Sequence, residues 1–129
     1  MKNIVLTVLM AAMSTGAMAE WVEIGVNGKT TQYVDSSSIR AKGNTMTAWT
    51  LIDAKTPDRI DQDEPHLSTK VQEEYNCPEE QFRVLAVSTH SKNMGQGRVI
   101  KFNINPTPWV AVPPDSFAAL KFKLLCVNE

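Results

Sequence analysis

The chain has 129 residues, with 13 Lys and Arg against 14 Asp and Glu, and a formal net charge of −1. That length makes one ordinary domain and leaves no room for a second. The near-neutral balance excludes a nucleic-acid binder, because tracking phosphates needs concentrated positive charge.

In chain order, Lys2 supplies a positive end, Ile4 to Met13 an apolar core, and Ala17-Met18-Ala19 a small-residue cleavage site before Glu20. Residues 1–19 therefore read as a secretory signal peptide cut between Ala19 and Glu20, leaving an exported domain of residues 20–129. Thr7, Ser14, Thr15 and Gly16 interrupt the apolar run before the roughly 20 residues that a membrane span takes, so no span is expected after cleavage. No cysteine lies near residue 20, so a lipoprotein anchor is not expected, and loss of Lys2 takes the net charge from −1 to −2. Cys77 and Cys126 both fall in the exported part, where thiols oxidise, which predicts one disulfide.

Trp21-Val22-Glu23-Ile24 alternates as a strand does, and Asn27-Gly28 marks a tight hairpin turn into a second strand at Thr31 to Val34. Asp35-Ser36-Ser37-Ser38 reads as a turn that carries Ile39 inward. Thr45 to Asp53, rich in β-branched and aromatic residues, predicts a strand in mid-sheet. Ala54 to Pro65, with Asp58, Asp61, Asp63 and Glu64, predicts a solvated loop. Ser68 to Cys77 suits a helix by its Lys70/Glu74 pair and a strand by alternation; the strand reading pairs it across the Pro78 turn with Phe82 to His90. Phe82, Val84 and Ala86 then share one face, and Arg83, Leu85 and Val87 the other. The glycines of Asn93 to Gly97 supply positive φ in a turn, and Arg98 to Ile104 forms the last strand, with Ile100, Phe102 and Ile104 on an apolar face. The proline-rich stretch Asn105 to Pro114 crosses as an extended connector, with Trp109 as an aromatic lid over the core edge. After a cap at Asp115 or Ser116, Phe117, Leu120 and Leu124 share a helical stripe that leaves Phe122 outside it. Leu120 to Leu124 also alternates as a strand would.

No catalytic constellation accompanies these elements. The acidic loop lacks the carboxylate spacing, glycine and distal glutamate of a calcium site, and His66 and His90 lack zinc spacing. Ser36, His90 and an aspartate have no nucleophile-elbow context. The expectation is no enzyme, no cofactor and no metal.

W-V-E-I, Y-V-D-S-S-S-I-R, the Trp49 strand, E-E-Y-N-C, F-R-V-L, N-M-G-Q-G and P-D-S-F-A-A-L-K-F-K-L-L-C resemble, in their order along the chain, the bacterial surface-adhesin protein E family. The resemblance implies an α+β fold: an antiparallel sheet, of about six strands by the periodicity, with a C-terminal helix tied to it by a Cys77–Cys126 disulfide. It implies an adhesin-like module whose partners are host glycoproteins such as vitronectin or laminin, and a homodimer. The family's basic stretch ahead of the first cysteine is reduced here to Lys70 between His66 and Asn76. Partner contacts are therefore expected from Lys92, Arg98, Trp109, Lys121, Phe122 and Lys123. The second functional reading is a periplasmic structural or accessory domain of the same fold without a host ligand.

Overall fold

The computed structural model describes residues 19–58 and 64–127. The signal peptide expected at residues 1–19, save Ala19, and the positions Asp61 and Asp63 lie outside the described residues. Strands β1 (Trp21–Asn27) and β2 (Thr30–Asp35) form the first hairpin. Its second strand starts one residue earlier than the Asn-Gly reading placed it. Asn27 pairs with Thr30, and Gly28, at φ +60°, opens the two-residue loop where mirror-image hairpin turns need positive φ. Asp35 caps the 3-10 turn Ser36–Ser38 by accepting from the Ser37 N–H, and Ile39 then packs on the core.

Next come β3 (Arg40–Lys42), β4 (Thr45–Asp58), β5 (His66–Asn76) and β6 (Gln81–His90). Residues 54–58, expected in a loop, continue β4: Ala54 pairs with Thr30 and Asp58 with His66. Both neighbours supply ladder partners there, so pairing overrides the polar composition. After β7 (Val99–Asn103), β8 (Val110–Ala111) and helix α1 (Phe117–Cys126) complete the fold. The sheet is antiparallel, in the order β1-β2-β4-β5-β6-β7, with β3 on β4 and β8 on β6. Among the described residues it has eight strands rather than about six, because β3 and β8 are 3 and 2 residues long and too short to generate a period. The strand after the Asn93–Gly95 turn is thus not the last.

The register shifts in four of the strand pairs, and two of these bulges bear on the faces of the sheet. Glu73 pairs with Val84 but its neighbour Gln72 pairs with Ala86, so Leu85 is the extra residue and Val84 and Ala86 take opposite faces. The simple alternation expected for residues 82–87 therefore breaks at Leu85. In β1, Ile24 is the extra residue between Glu23 and Gly25.

Helix α1 covers one face. Val34, Ala48, Tyr75 and Leu125 form the buried cluster, with Ile24, Ile39, Met46, Phe82, Val112, Phe122 and Cys126 packed around it. Ser116 caps the helix by accepting from the Ala119 N–H, as its side chain and position favour. The Cys77–Cys126 disulfide ties its last turn to the end of β5, with Cα atoms 5.6 Å apart. That bond turns the Cys126 side of the helix toward the sheet. Leu120 and Leu124 consequently face solvent, whereas Lys121, Phe122 and Leu125 face inward, which reverses the stripe expected from apolar spacing. Only Phe117 of that stripe stays in contact, over Gly25, where a Cβ would meet its ring at 2.8 Å.

Candidate functional site

The pairing register sorts the nine aromatic residues by face. Tyr75, Phe82, Phe117 and Phe122 lie under the helix, where Tyr75 stacks on Phe82 with centroids 5.5 Å apart. The other five are on the helix-free side. Tyr33 pairs with Leu51, Leu51 with Lys70, Lys70 with Ser88 and Ser88 with Phe102, so these residues form one row across the sheet. Trp49, Gln72 and Ala86 form the next row, and Thr47, Glu74 and Arg83 the third. Trp21, opposite Asp35, adds to the same face from β1. Trp109 reaches it from the proline-rich segment, which Thr107 anchors by donating its N–H to the Val84 carbonyl and accepting from the Val84 N–H, each at 2.9 Å.

Two of these rings carry cations. Lys70 Nζ lies 5.4 Å from the Trp49 ring centroid and Arg83 Cζ 4.5 Å from that of Trp109. Arg83 is held by Glu74, whose Oε1 accepts from Nε and pairs with a terminal nitrogen, each at 2.9 Å, and whose Oε2 accepts from the Thr45 hydroxyl. Lys70 pairs with no carboxylate among the described residues, and its stem packs under Gly95 beside Leu51. The indole N–H groups of Trp21, Trp49 and Trp109, the Tyr33 hydroxyl and the Gln72 amide make no hydrogen bond within the described residues. Buried Trp and Tyr heads usually find a partner. These half-exposed ones keep their donors available at the surface.

The turn Asn93–Gly95 closes one end of this face. Asp53 Oδ1 accepts from the Met94 N–H at 2.8 Å and from Asn93 Nδ2 at 3.1 Å, and the Ser68 hydroxyl accepts from the Gly95 N–H at 2.8 Å. Beside it His90 is buried, with Nε2 2.8 Å from the Ser88 hydroxyl and Nδ1 without a partner. Burial, and then the charge of Lys70, push the His90 imidazole below its ordinary pKa.

Under the helix, Glu73 Oε1 lies 2.9 Å from Lys121 Nζ and accepts from the Tyr75 hydroxyl at 3.1 Å, while Lys121 also reaches Gln32 Oε1 at 3.4 Å. Burial, and then the Glu73 charge, push the Tyr75 hydroxyl far above its ordinary value, so it stays a donor. This polar knot fastens the helix.

The residues expected to contact partners are therefore dispersed. Trp109 joins the aromatic face. Lys121 is buried and ion-paired, which the rotation of α1 brings about, and Phe122 packs toward Tyr75 with centroids 6.3 Å apart while staying partly exposed beside Cys77 and Pro78. Lys123 is exposed on the helix and lines a groove with Val26, Pro114 and Leu120. Lys92 is exposed beside the Asn93 turn, and Arg98 pairs with Glu64 at the surface. Sequence reading passed over Trp21, Tyr33, Trp49, Lys70 and Gln72 as a group. Their period-2 placement was visible, but which strands adjoin was not. Among the described residues no cluster of three His, Cys, Asp or Glu is set to hold a metal, and no helix is long and apolar enough to cross a membrane.

The family model of surface-adhesin protein E matches residues 21–127. The chain belongs to that family. A structure of Haemophilus influenzae protein E in crystal form II superposes with a TM-score of 0.64 at 14% identity, covering 87% of this chain and 98% of that one. Protein E from non-typeable Haemophilus influenzae gives a TM-score of 0.66 at 14% identity, covering 88% and 80% of the two chains. At that identity the likeness to surface-adhesin protein E structures shows a shared fold. No curated protein sequence matches the chain.

Proposed function

We propose that this chain is an exported, non-enzymatic adhesin-like module that holds host glycoproteins such as vitronectin or laminin on its helix-free face, at the cell surface. Membership of the surface-adhesin protein E family supports the class. The observation that carries the choice of face is the set of free donors: three indole N–H groups, the Tyr33 hydroxyl, the Gln72 amide and the Lys70 ammonium lie around rings that supply area at low entropic cost. Trp, Tyr and Arg are the residue types that dominate measured binding hot spots.

Charge sets the character of the contact. With a net charge of −1 before cleavage and Arg83 already paired to Glu74, the face offers little long-range attraction. Binding to immobilised vitronectin and laminin should therefore change little between low and high salt and fall at least tenfold in Trp49→Ala or Trp109→Ala, consistent with hot-spot truncations of about 2 kcal/mol. Binding that collapses with salt, or that survives both substitutions, counts against this face. No binding to either protein at tens of micromolar favours the periplasmic accessory reading, which the lone Lys70 ahead of Cys77 supports.

A further inference from the structure

Glu20 is tied to the Asp35 turn by hydrogen bonds. Its N–H donates to Asp35 Oδ1 at 2.9 Å, its carbonyl accepts from the Ser36 N–H at 2.9 Å, and its Oε1 accepts from the Ser36 hydroxyl at 3.1 Å. Asp35 is only 8% exposed, and the same Oδ1 also takes the Ser37 N–H at 3.0 Å and the Ser37 hydroxyl at 2.6 Å. Ala19, one residue earlier, is exposed and makes no hydrogen bond within the described residues. The carboxylate thus receives the residue that stands immediately past the end of the signal pattern Ala17-Met18-Ala19.

We propose that signal-peptide cleavage completes the fold by creating an α-ammonium on Glu20 that forms an ion pair with Asp35 and locks β1 onto the sheet. Hydrolysis of the Ala19–Glu20 peptide bond consumes one water and leaves a carboxylate on Ala19 and an ammonium on Glu20. Before the cut, the Glu20 nitrogen is a neutral amide with one hydrogen. After it, the same nitrogen carries a positive charge and three donors, so its bond to the ionised Asp35 becomes an ion pair as well as a hydrogen bond. The element it would secure needs securing: among the described residues β1 has β2 as its only ladder partner, and a chain terminus frays unless tied down.

The receiving group is suited to the role. Burial raises the Asp35 pKa, but the bonds from Ser37 and the Glu20 backbone, with the charge of Lys70, outweigh it and hold the carboxyl below its ordinary value. The charges that bear on the new ammonium are Asp35, the Glu20 side chain turned to Ser36, and Lys70, which acts on Asp35 from beyond ion-pairing distance. The lock rests on the export half of the proposed function and is independent of any host ligand.

The test compares three disulfide-bonded proteins: residues 20–129 with a free amine, the same chain acetylated at Glu20, and a chain that begins at Ala19. At pH 7 the free-amine form should have a folding equilibrium constant about tenfold larger than either blocked form. An ammonium gaining a partner has its pKa raised, so the advantage is full below the ordinary α-amino value of about 7.7–8.0 and fades as pH rises through the raised folded value. Asp35→Asn should erase the difference. Equal stability of the free and blocked forms at pH 7, or an advantage that survives in Asp35→Asn, overturns the proposal; the acetylation arm decides it even if that variant fails to fold. Intact mass of the exported protein reads the first step separately: a chain starting at Glu20 is expected, and any other start overturns the lock while leaving adhesion to be judged by its own assay.

Discussion

At Lys121 the strongest local rule of the sequence is broken, since a lysine occupies the middle of the buried helix face while Leu120 and Leu124 stand in solvent. The ion pair with Glu73 is what makes this tolerable, because each charge is desolvated and answers the other. Lys121→Ala strands the Glu73 carboxylate and should destabilise by about 3–5 kcal/mol, whereas replacing both partners with apolar residues of similar volume should be neutral or stabilising by about 1–4 kcal/mol. Urea denaturation of the single and double variants checks this, and a single variant as stable as the parent would refute it. His90 makes a second residue-scale prediction. Its folded pKa is depressed by burial and by Lys70, so the unfolded chain binds more protons in the interval below the ordinary value of about 6.5. Stability should be full above that pH and fall as pH drops toward the folded value. His90→Gln should flatten the fall; an unchanged pH profile in the variant would assign the effect elsewhere.

Among the elements, β4 as far as Asp53, β5 and most of β6 are legible in sequence because long antiparallel neighbours impose period 2 on them. The Leu85 bulge is not, since an inserted residue leaves composition unchanged and only re-aims the side chains beyond it. Helix α1 is legible as an element and illegible in its rotation. Its apolar residues run nearly all round, so no stripe dominates, and the Cys77–Cys126 bond, the Glu73–Lys121 pair and the Phe117–Gly25 contact choose the face. The helix therefore depends on its staple. Cys126→Ala should cost about 2–5 kcal/mol, the usual range for a native bridge in a small secreted domain. A melting temperature unmoved by the substitution would show that the other two contacts suffice.

Among the described residues, the one helix packs on a single face of the eight-stranded sheet, and β1 and β7 stand at the ends of the strand order. Val22 and Val26 on the edge strand β1 are about half exposed, and Val26 borders a groove with Leu120 on α1. Edge strands tend to be paired or covered, so we expect a homodimer to sediment at micromolar concentration; a monomer alone under those conditions would rule it out. The sequence by itself determined the two cysteines, most strand positions and a helix start at Asp115 or Ser116, since each rests on local chemistry or on a period that a single segment carries. Only the tertiary structure decided that Trp21, Tyr33, Trp49 and Trp109 share one face, that Lys121 and Phe122 are withdrawn from it, and that Glu20 meets Asp35. These depend on which strands adjoin and on how the disulfide turns the helix. Such long-range choices are set by packing and burial, and no single stretch of chain contains both halves of them.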